Sequence, residues 1–291
     1  MKFIHPSDLM IKICLRLGPT GIMLWHKFNY FRLRHRLPNF KHPQDLSERL
    51  LAQMHKKEWL RYADYADKWK VRDYIKSKGM GDLLLDVYGV RKNADEIDFD
   101  QLPEKFALKP NNGSGGHFLC HDKSKIDIPA VRKQLNEALN MIDYDPSFHW
   151  EPHYFAIDRR IYAEELIDVG EGNLPVDYKF TCIKGKVRDC FIVTERATGH
   201  AKYITLDTNW NVLPWTVDEW VSPTIPEKPK HLQEMLKIAE QLSADFEFVR
   251  VDLYEYKDKV YFSELTFSPW GGMMYSYNDE GIRTLGKYFD E

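Results

Sequence analysis

A segment of alternating apolar and polar residues near the C-terminus constrains the fold more than any other part of the chain. From Phe248 to Pro269 it reads Phe-Val-Arg-Val-Asp-Leu-Tyr-Glu-Tyr-Lys-Asp-Lys-Val-Tyr-Phe-Ser-Glu-Leu-Thr-Phe-Ser-Pro. Successive side chains of a strand point to opposite faces of a sheet, so each half predicts a strand with one apolar and one polar face. We expect a hairpin with a three-residue loop at residues 257–259. That loop sets Asp252 opposite Glu264 and gathers the apolar residues on the other face.

The polar face of this hairpin predicts a metal and phosphate site. It carries Arg250, Asp252, Glu264 and Thr266. Two carboxylates on neighbouring strands repel each other unless a divalent cation lies between them. Oxygen ligands of this kind suit Mg²⁺ whose shell is completed by phosphate oxygens and water. An amphipathic edge hairpin with a solvated charged face has the same pattern, so the hairpin by itself leaves both interpretations open.

A second segment, residues 105–120, predicts a glycine-rich anion-binding loop between two short strands. It reads Lys-Phe-Ala-Leu-Lys-Pro-Asn-Asn-Gly-Ser-Gly-Gly-His-Phe-Leu-Cys. Glycine adopts positive φ without a steric penalty and lets backbone N–H groups approach an anion, and Lys109 adds a positive charge beside them. The lysine precedes the glycines, which is the reverse of the order in the common nucleotide-binding P-loop. An ordinary hairpin turn is the alternative interpretation.

Three motifs occur in a fixed order along the chain. They are the lysine before the Gly/Ser loop, the hinge from Tyr162 to Ile167 with its glutamate pair, and the terminal Arg-Val-Asp and Glu-Leu-Thr-Phe-Ser-Pro sequences. In this order they resemble the ATP-grasp superfamily, and most of all its TupA-like branch, which is associated with bacterial cell-surface polysaccharide and teichuronopeptide synthesis. The resemblance extends from about Asn39 to the C-terminus. It implies an α+β fold of two lobes, whose antiparallel sheets enclose a nucleotide cleft, with ATP and Mg²⁺ as cofactors.

The resemblance also implies roles for individual residues. Arg250, Lys109 and Lys179 are expected to act in catalysis, with Arg250 stabilising the oxyanion of a tetrahedral intermediate. The expected metal ligands are Asp252, Glu264 and Thr266. The expected nucleotide-binding residues are Lys68, Lys109, Gly113, Ser114, Gly115, Gly116, Glu164, Glu165, Leu166, Ile167, Asp177, Lys179 and Arg196.

Local structure supports several of these roles. Lys68 lies at the start of a helix predicted at residues 67–78, and helix N-termini favour anions. Period two places Asp177 and Lys179 on one face of the following hairpin. By resemblance, Glu164 hydrogen-bonds the adenine edge, Asp177 binds the ribose hydroxyls, and Lys179 reaches the γ-phosphate.

The reaction that the resemblance implies is ligation. A substrate carboxylate attacks the γ-phosphorus of ATP, and an amine then displaces phosphate from the acyl phosphate. The expected partners are a carboxylate-bearing sugar or glycan precursor, such as a uronic acid, and an amino acid or amine. A sugar kinase and a non-catalytic nucleotide-binding partner of a glycan assembly complex are the alternatives. The chain departs from the family in two ways, because Thr266 stands where many ATP-grasp ligases have Asn and no Rossmann-like domain is evident before Asp67.

The composition predicts a globular cytoplasmic protein. Hydrophobic residues make up 43% of the 291 residues, which excludes an intrinsically disordered chain. The net charge of −3 gives no case for nucleic-acid binding. The four cysteines lack Cys-x-x-Cys spacing and are expected to be reduced. Charges and a proline interrupt the apolar run from Leu9 to Phe31, so we expect neither a signal peptide nor a membrane span.

Positive charge is concentrated in residues 1–41, where Asp8 is the one acidic residue among eight Lys and Arg. Interleaved aromatic residues such as Trp25 and Phe28 favour peripheral contact with the anionic inner face of the membrane. A basic helix packed against the rest of the protein is the alternative. We predict three regions, namely an N-terminal basic helical region at residues 1–64, a lobe with the glycine-rich loop at 65–165, and a lobe with the metal site at 166–291.

Overall fold

Side-chain caps are present at Asp45 and Asp67, where the sequence predicts helix starts. The computed structural model describes residues 14, 16–113, 115–140, 150–170, 175–194 and 201–291. The Asp45 side chain accepts a hydrogen bond from the backbone N–H of Glu48 at 2.8 Å, as expected at a helix N-terminus. The Asp67 side chain accepts from two N–H groups of the next turn. The regular helix that follows Asp67 is shorter than the predicted one, because its first turn is irregular.

Helices precede, separate and follow the strands. In the described residues the α-helices are α1 (Gly18–Arg34), α2 (Leu46–Met54), α3 (Ala63–Ala66), α4 (Val71–Ser77), α5 (Ile128–Asn140), α6 (Pro152–Phe155), α7 (Leu232–Ser243) and α8 (Asp279–Lys287). Short 3₁₀ turns lie between several of them.

The strands form two antiparallel sheets, which confirms the predicted α+β class. The strands are β1 (Val87–Arg91), β2 (Phe106–Pro110), β3 (Phe118–Cys120), β4 (Ile161–Glu164), β5 (Asp177–Ile183), β6 (Lys186–Thr194), β7 (Lys202–Leu206), β8 (Val212–Leu213), β9 (Phe248–Tyr256) and β10 (Lys259–Thr266). One sheet has the strand order β1-β4-β2-β3, and the other has the order β10-β9-β5-β6-β7-β8. Helix α5 packs against β2, and α7 packs against β5, β6 and β9.

The β9–β10 hairpin reaches its predicted pairing by an unexpected route. Its turn consists of two residues, 257 and 258, both with positive φ, so the predicted three-residue loop is wrong. By itself this turn would leave the two carboxylates out of register. A β-bulge at Ser263 inserts one extra residue and sets Asp252 opposite Glu264. The predicted carboxylate pair is therefore confirmed, although the bulge produces it.

Each sheet has its own hydrophobic core. The larger core lies against the six-stranded sheet and includes residues of α2, α7 and α8. The smaller core lies between the four-stranded sheet and α5, and includes Phe106 and Leu135. The predicted region boundaries after residues 64 and 165 stay predictions. Val71 and Ile75 of α4 pack in the larger core, although their sequence belongs to the predicted first lobe.

The basic N-terminal helix α1 packs against the rest of the protein through one face. Trp25 and Tyr30 on this face are buried. Arg34 is also buried and donates hydrogen bonds to the backbone carbonyls of Met274 at 2.9 Å and Tyr277 at 2.8 Å. The packed arrangement, one of the two that the sequence leaves open, is thus present on this face. Within the described ranges, no helix is long and apolar enough to cross a bilayer.

A buried carboxyl group lies within the six-stranded sheet. Asp189 on β6 is fully buried, and the Tyr277 hydroxyl donates a hydrogen bond to its Oδ1 at 3.1 Å. Its other oxygen has no hydrogen-bond partner among the residues that the structure describes. Burial raises the pKa of this carboxyl to about 7. The group is therefore protonated in the native state at mildly acidic pH.

Replacing Asp189 with asparagine should remove part of the pH dependence of stability. An unfolded Asp has a pKa of about 4, so the higher native pKa stabilises the fold at low pH. This contribution is lost as the pH rises from about 4 to about 7. Between about pH 5 and pH 8 the wild type should lose roughly 3 kcal/mol more free energy of unfolding than Asp189→Asn. Urea unfolding measures both proteins, and an identical pH dependence would contradict the expectation.

Candidate functional site

The two sheets enclose a cavity of about 370 Å³. Ten of the predicted site residues line it, namely Lys68, Lys109, Gly115, Glu165, Leu166, Ile167, Asp177, Lys179, Arg250 and Glu264. Five others, Gly113, Gly116, Glu164, Asp252 and Thr266, do not line it directly. Ser114 and Arg196 lie outside the described residues. Residues from distant parts of the sequence thus meet around one cavity.

A buried carboxylate, Asp252, organises one end of this cavity. Its side chain is fully buried. Arg250 donates to both of its oxygens, from Nε at 2.7 Å and from a terminal nitrogen at 2.6 Å. Lys179 Nζ lies 2.5 Å from Oδ2 and also contacts Asp177. Because β5 and β9 are neighbours, the backbone pairing places Lys179 directly opposite Asp252 and brings these charges together.

The second carboxylate, Glu264, shares the same cations. Lys68 Nζ lies 3.1 Å from its Oε2, and Arg250 lies 3.1 Å from its Oε1. Burial by itself would raise the pKa of Glu264, but Lys68, Lys179 and Arg250 hold that pKa well below its usual range. Burial raises the pKa of Asp252 against the opposing effect of Arg250 and Lys179. With Asp177, the cluster therefore places three cations beside three carboxylates.

The oxygen donors at this end converge on one terminal nitrogen of Arg250, which lies 2.6 Å from Asp252 Oδ2, 3.1 Å from Glu264 Oε1 and 3.0 Å from Thr266 Oγ1. Thr266 Oγ1 lies 3.1 Å from Glu264 Oε1, and Glu264 is the cross-strand partner of Asp252. The part of the chain that the structure describes has no group of three or more His, Cys, Asp or Glu side chains that could hold a metal ion. Mg²⁺ commonly takes one or two carboxylates and completes its shell with phosphate oxygens and water. Asp252, Glu264 and Thr266 stay predicted ligands, and a metal ion that arrives with a phosphate-bearing ligand would replace the Arg250 nitrogen between them.

The hinge after β4 contributes the apolar part of the cavity wall. Glu164 is buried, and its Oε1 lies 2.5 Å from Lys109 Nζ on the neighbouring strand β2. Glu165, Leu166 and Ile167 follow it and line the cavity. The wall is completed by Leu85, Ala107, Leu119, Tyr162 and Pro175. A wall of this kind suits a flat, largely apolar ring.

The glycine-rich loop closes the cavity beside Lys68. Gly113 and Gly115 have positive φ, and Lys68 Nζ donates a hydrogen bond to the Gly113 carbonyl at 2.5 Å. A Cβ atom at Gly116 would lie 2.3 Å from the Ala138 side chain of α5. Gly116 is therefore needed for close packing of the loop against this helix. Gly115 has open space where its Cβ would be, and it lines the cavity.

Several polar residues of the cavity wall were not predicted from the sequence: His117, His121, Tyr254 and Ser263. Tyr254 lies two residues from Asp252 on β9, so the period-two pattern contained the signal for it. Ser263 lies at the bulge, which the sequence pattern did not indicate. Burial, together with two nearby lysines, lowers the pKa of His117. Its imidazole is therefore neutral at pH 7.

The chain is similar to solved structures of ATP-grasp ligases at low sequence identity. D-alanine–D-alanine ligase from Bacillus anthracis aligns with a TM-score of 0.45 and 16% identity over 78% of this chain and 65% of that chain. The same enzyme from Helicobacter pylori gives 0.41 and 17% over 77% and 60%. The ATP-grasp ligase PsnB, complexed with a phosphomimetic variant of its minimal precursor, Mg and ADP, gives 0.45 and 12% over 84% and 66%. The chain thus spans less than two thirds of the length of the two D-alanine–D-alanine ligases.

No curated protein matches the sequence. Residues 45–290 match the family described as TupA-like ATPgrasp. The matched range begins after α1 and contains every predicted site residue. The family resemblance inferred from the sequence motifs is confirmed, and this chain belongs to the TupA-like ATP-grasp family.

Proposed function

We propose that this protein is an ATP-dependent carboxylate–amine ligase that acts through an acyl phosphate. One observation carries the proposal: Lys68, Lys179 and Arg250 meet the carboxylates of Asp177, Asp252 and Glu264 at one end of the cavity between the two sheets. Such a cluster suits the charge of a triphosphate and its metal ion, and the apolar hinge wall suits a nucleotide base. Membership in the ATP-grasp family supports ATP and Mg²⁺ as the ligands.

The residues of the cluster have distinct tasks in this proposal. Bound Mg-ATP supplies the phosphoryl group that activates the substrate carboxylate. Lys68 and Lys109 hold the negative charge of the phosphates in place. Burial opposes the charge of Arg250, but Asp252 and Glu264 raise its pKa, so the guanidinium stays protonated. Arg250 can then stabilise the oxygen that becomes negative when the amine attacks the acyl phosphate.

We further propose that a sugar, such as a uronic acid, carries the substrate carboxylate. The support is a group of partly exposed rings, here called the aromatic cluster, formed by Tyr203, Trp220, Trp270 and Tyr275. The Trp270 ring centroid lies 6.3 Å from that of Trp220, 6.1 Å from that of Tyr203 and 6.2 Å from that of Tyr275. Aromatic faces of this kind stack against the C–H faces of pyranose rings.

The aromatic cluster lies on the same face of the six-stranded sheet as Lys179 and Asp252. Lys179 pairs with Phe191 across β5 and β6, and Phe191 pairs with Thr205 across β6 and β7. Cross-strand partners share a face, and Tyr203 shares it because it lies two residues from Thr205. With strands about 4.8 Å apart, β7 lies roughly 10 Å from β5. A sugar that stacks on the aromatic cluster is therefore near the residues that would act on its carboxylate.

The backbone at Trp270 is unusual in a way that supports this role. Trp270 adopts φ 54° and ψ 36°, in the left-handed region that bulky residues rarely enter. It follows the end of the metal-ligand strand β10 by four residues. Strained backbone of this kind persists where the surrounding structure requires it, and it is concentrated at binding sites. We infer that the conformation holds the indole ring in the aromatic cluster.

The metal assignment predicts a specific loss in Glu264→Gln. Removing the charge of a metal ligand should weaken ADP binding in the presence of Mg²⁺ by roughly 10- to 100-fold, since a charged contact contributes about 1.5–3 kcal/mol. Binding in EDTA should change little. Calorimetric titration of ADP under both conditions measures this. Glu165→Gln, which removes a charge from the hinge wall, is the matched control, and its ADP affinity should depend on Mg²⁺ as in the wild type. The same Mg²⁺ dependence of ADP affinity in Glu264→Gln would contradict the metal assignment.

The ligase proposal predicts a trapped intermediate. With a uronic-acid oligosaccharide, ATP and Mg²⁺, hydroxylamine should yield a hydroxamate together with ADP and phosphate. Arg250→Lys keeps the charge but loses the bidentate fork, so it should lower kcat by roughly 10²- to 10³-fold. Arg188→Lys is the control, because Arg188 pairs with Glu291 and stacks on Tyr288 and does not line the cavity. A stable phosphorylated sugar without hydroxamate would favour a kinase instead.

The aromatic cluster predicts a selective effect on the acceptor. Trp270→Ala should raise KM for a uronic-acid oligosaccharide by roughly 3- to 10-fold, because one aromatic contact contributes about 0.5–1.5 kcal/mol. KM for ATP should not change, because Trp270 is not part of the nucleotide cavity. Steady-state kinetics with each substrate varied in turn measures both values. Tyr88→Ala, an exposed aromatic residue on β1, is the control, and a parallel rise in KM for ATP would argue against an acceptor site.

A further inference from the structure

Helix α1 has a second apolar face that the rest of the described chain does not cover. Leu24 is 52% exposed, Phe28 39% and Phe31 47%. At 100° per residue these three side chains lie within an arc of about 60°. Trp25 and Tyr30 point to the packed side and are buried. The exposed residues therefore form a single stripe, here called the outer stripe, along the side of α1 that faces away from the core.

Two cations lie along the edges of the outer stripe. By the same helical geometry, Lys27 and Arg32 each lie about 40° beyond the apolar arc, on opposite sides of it. Both are exposed, and neither has an ion pair with an acidic residue in the described ranges. The Arg32 guanidinium lies 5.8 Å from the centroid of the Phe28 ring. No acidic residue occurs in the sequence between residues 9 and 44.

Two other basic residues of this tract, Arg34 and Arg36, form contacts that stabilise the fold. Arg34 is buried and bonded to backbone carbonyls of the segment 273–277. Arg36 forms ion pairs with Asp45 and Glu48 at the start of α2. These contacts account for two of the arginines that the sequence showed as one basic tract. Among the residues that the structure describes, Lys27 and Arg32 form no comparable ion pair or backbone hydrogen bond.

We propose that the outer stripe is a docking surface for an anionic phospholipid membrane. A helix with an apolar arc bordered by cations lies in the membrane interface, with its apolar side chains at the acyl boundary and its cations among the headgroups. Each cation near an anionic leaflet strengthens binding by about fivefold. A second copy of the chain fits less well, because the two cationic edges would face each other and repel. This proposal does not depend on the ligase assignment.

Vesicle sedimentation of the full chain tests the proposal. The wild type should bind vesicles of phosphatidylglycerol and phosphatidylcholine and should not bind pure phosphatidylcholine. The variant Leu24→Gln/Phe28→Gln/Phe31→Gln should lose at least roughly tenfold in partition, and it keeps good helix formers on α1. The variant Lys27→Gln/Arg32→Gln should lose roughly 30-fold and should show a weaker salt dependence.

Matched controls separate the outer stripe from general surface effects. Leu60→Gln/Phe155→Gln/Ile225→Gln removes three exposed apolar residues elsewhere, and Lys133→Gln/Lys237→Gln removes two exposed charges elsewhere. Both controls should bind vesicles as the wild type does. If the apolar variant of α1 unfolds at a lower temperature than the wild type, the charge variant of α1 gives an independent result. Equal binding of wild type to neutral and anionic vesicles would overturn the proposal. The proposal would also be overturned if both α1 variants bound vesicles as well as the wild type does. A further contrary result would be a wild-type dimer that does not bind vesicles and becomes a monomer in the apolar variant.

Discussion

The ion pairing of Asp252 with Arg250 and Lys179 is the interaction on which the candidate site depends. A carboxylate that is fully buried in a sheet strongly destabilises the fold unless cations and hydrogen bonds compensate it. Strand pairing places Lys179 directly opposite, and Arg250 reaches back along its own strand. The same cations face the cavity, where a polyphosphate would be bound. The same arrangement of charges therefore stabilises the sheet and places cations at the site.

That arrangement requires the correct register, and a single extra residue supplies it. The two-residue turn alone would direct the side chain of Glu264 to the apolar face, because a shift of one residue exchanges the two faces of a strand. The bulge at Ser263 restores the pairing of Glu264 with Asp252. A bulge beside a binding site is a common means of re-aiming a side chain. Ser263 is the extra residue of the bulge, and it lies at the cavity wall as well.

Local periodicity predicted the pairing of residues within one hairpin. It does not predict contacts between strands that are distant in sequence. The pairing of Asp252 with Glu264 followed from alternation and from the need for a shared apolar face. The pairing of Lys109 with Glu164 depends on β2 lying beside β4, which no short-range pattern reports. The packing requirement at Gly116 likewise comes from a distant helix, although the sequence assigned this glycine to anion binding. The sequence pattern does not distinguish the lysines and arginines of the N-terminal tract from one another, whereas the burial of Arg34 and the ion pairs of Arg36 do.

Contacts of α1 connect its packed face to the segment that carries part of the aromatic cluster. Arg34 donates to the carbonyls of Met274 and Tyr277, and Ser47 at the start of α2 donates to the carbonyl of Met273 at 3.1 Å. This segment directly follows Trp270 and includes Tyr275, so the helix that carries the outer stripe holds the chain that carries part of the aromatic cluster. Buried arginine contacts of this kind are rigid, because breaking them leaves an uncompensated charge. A chain docked through α1 would therefore hold the aromatic cluster at a fixed orientation to the membrane.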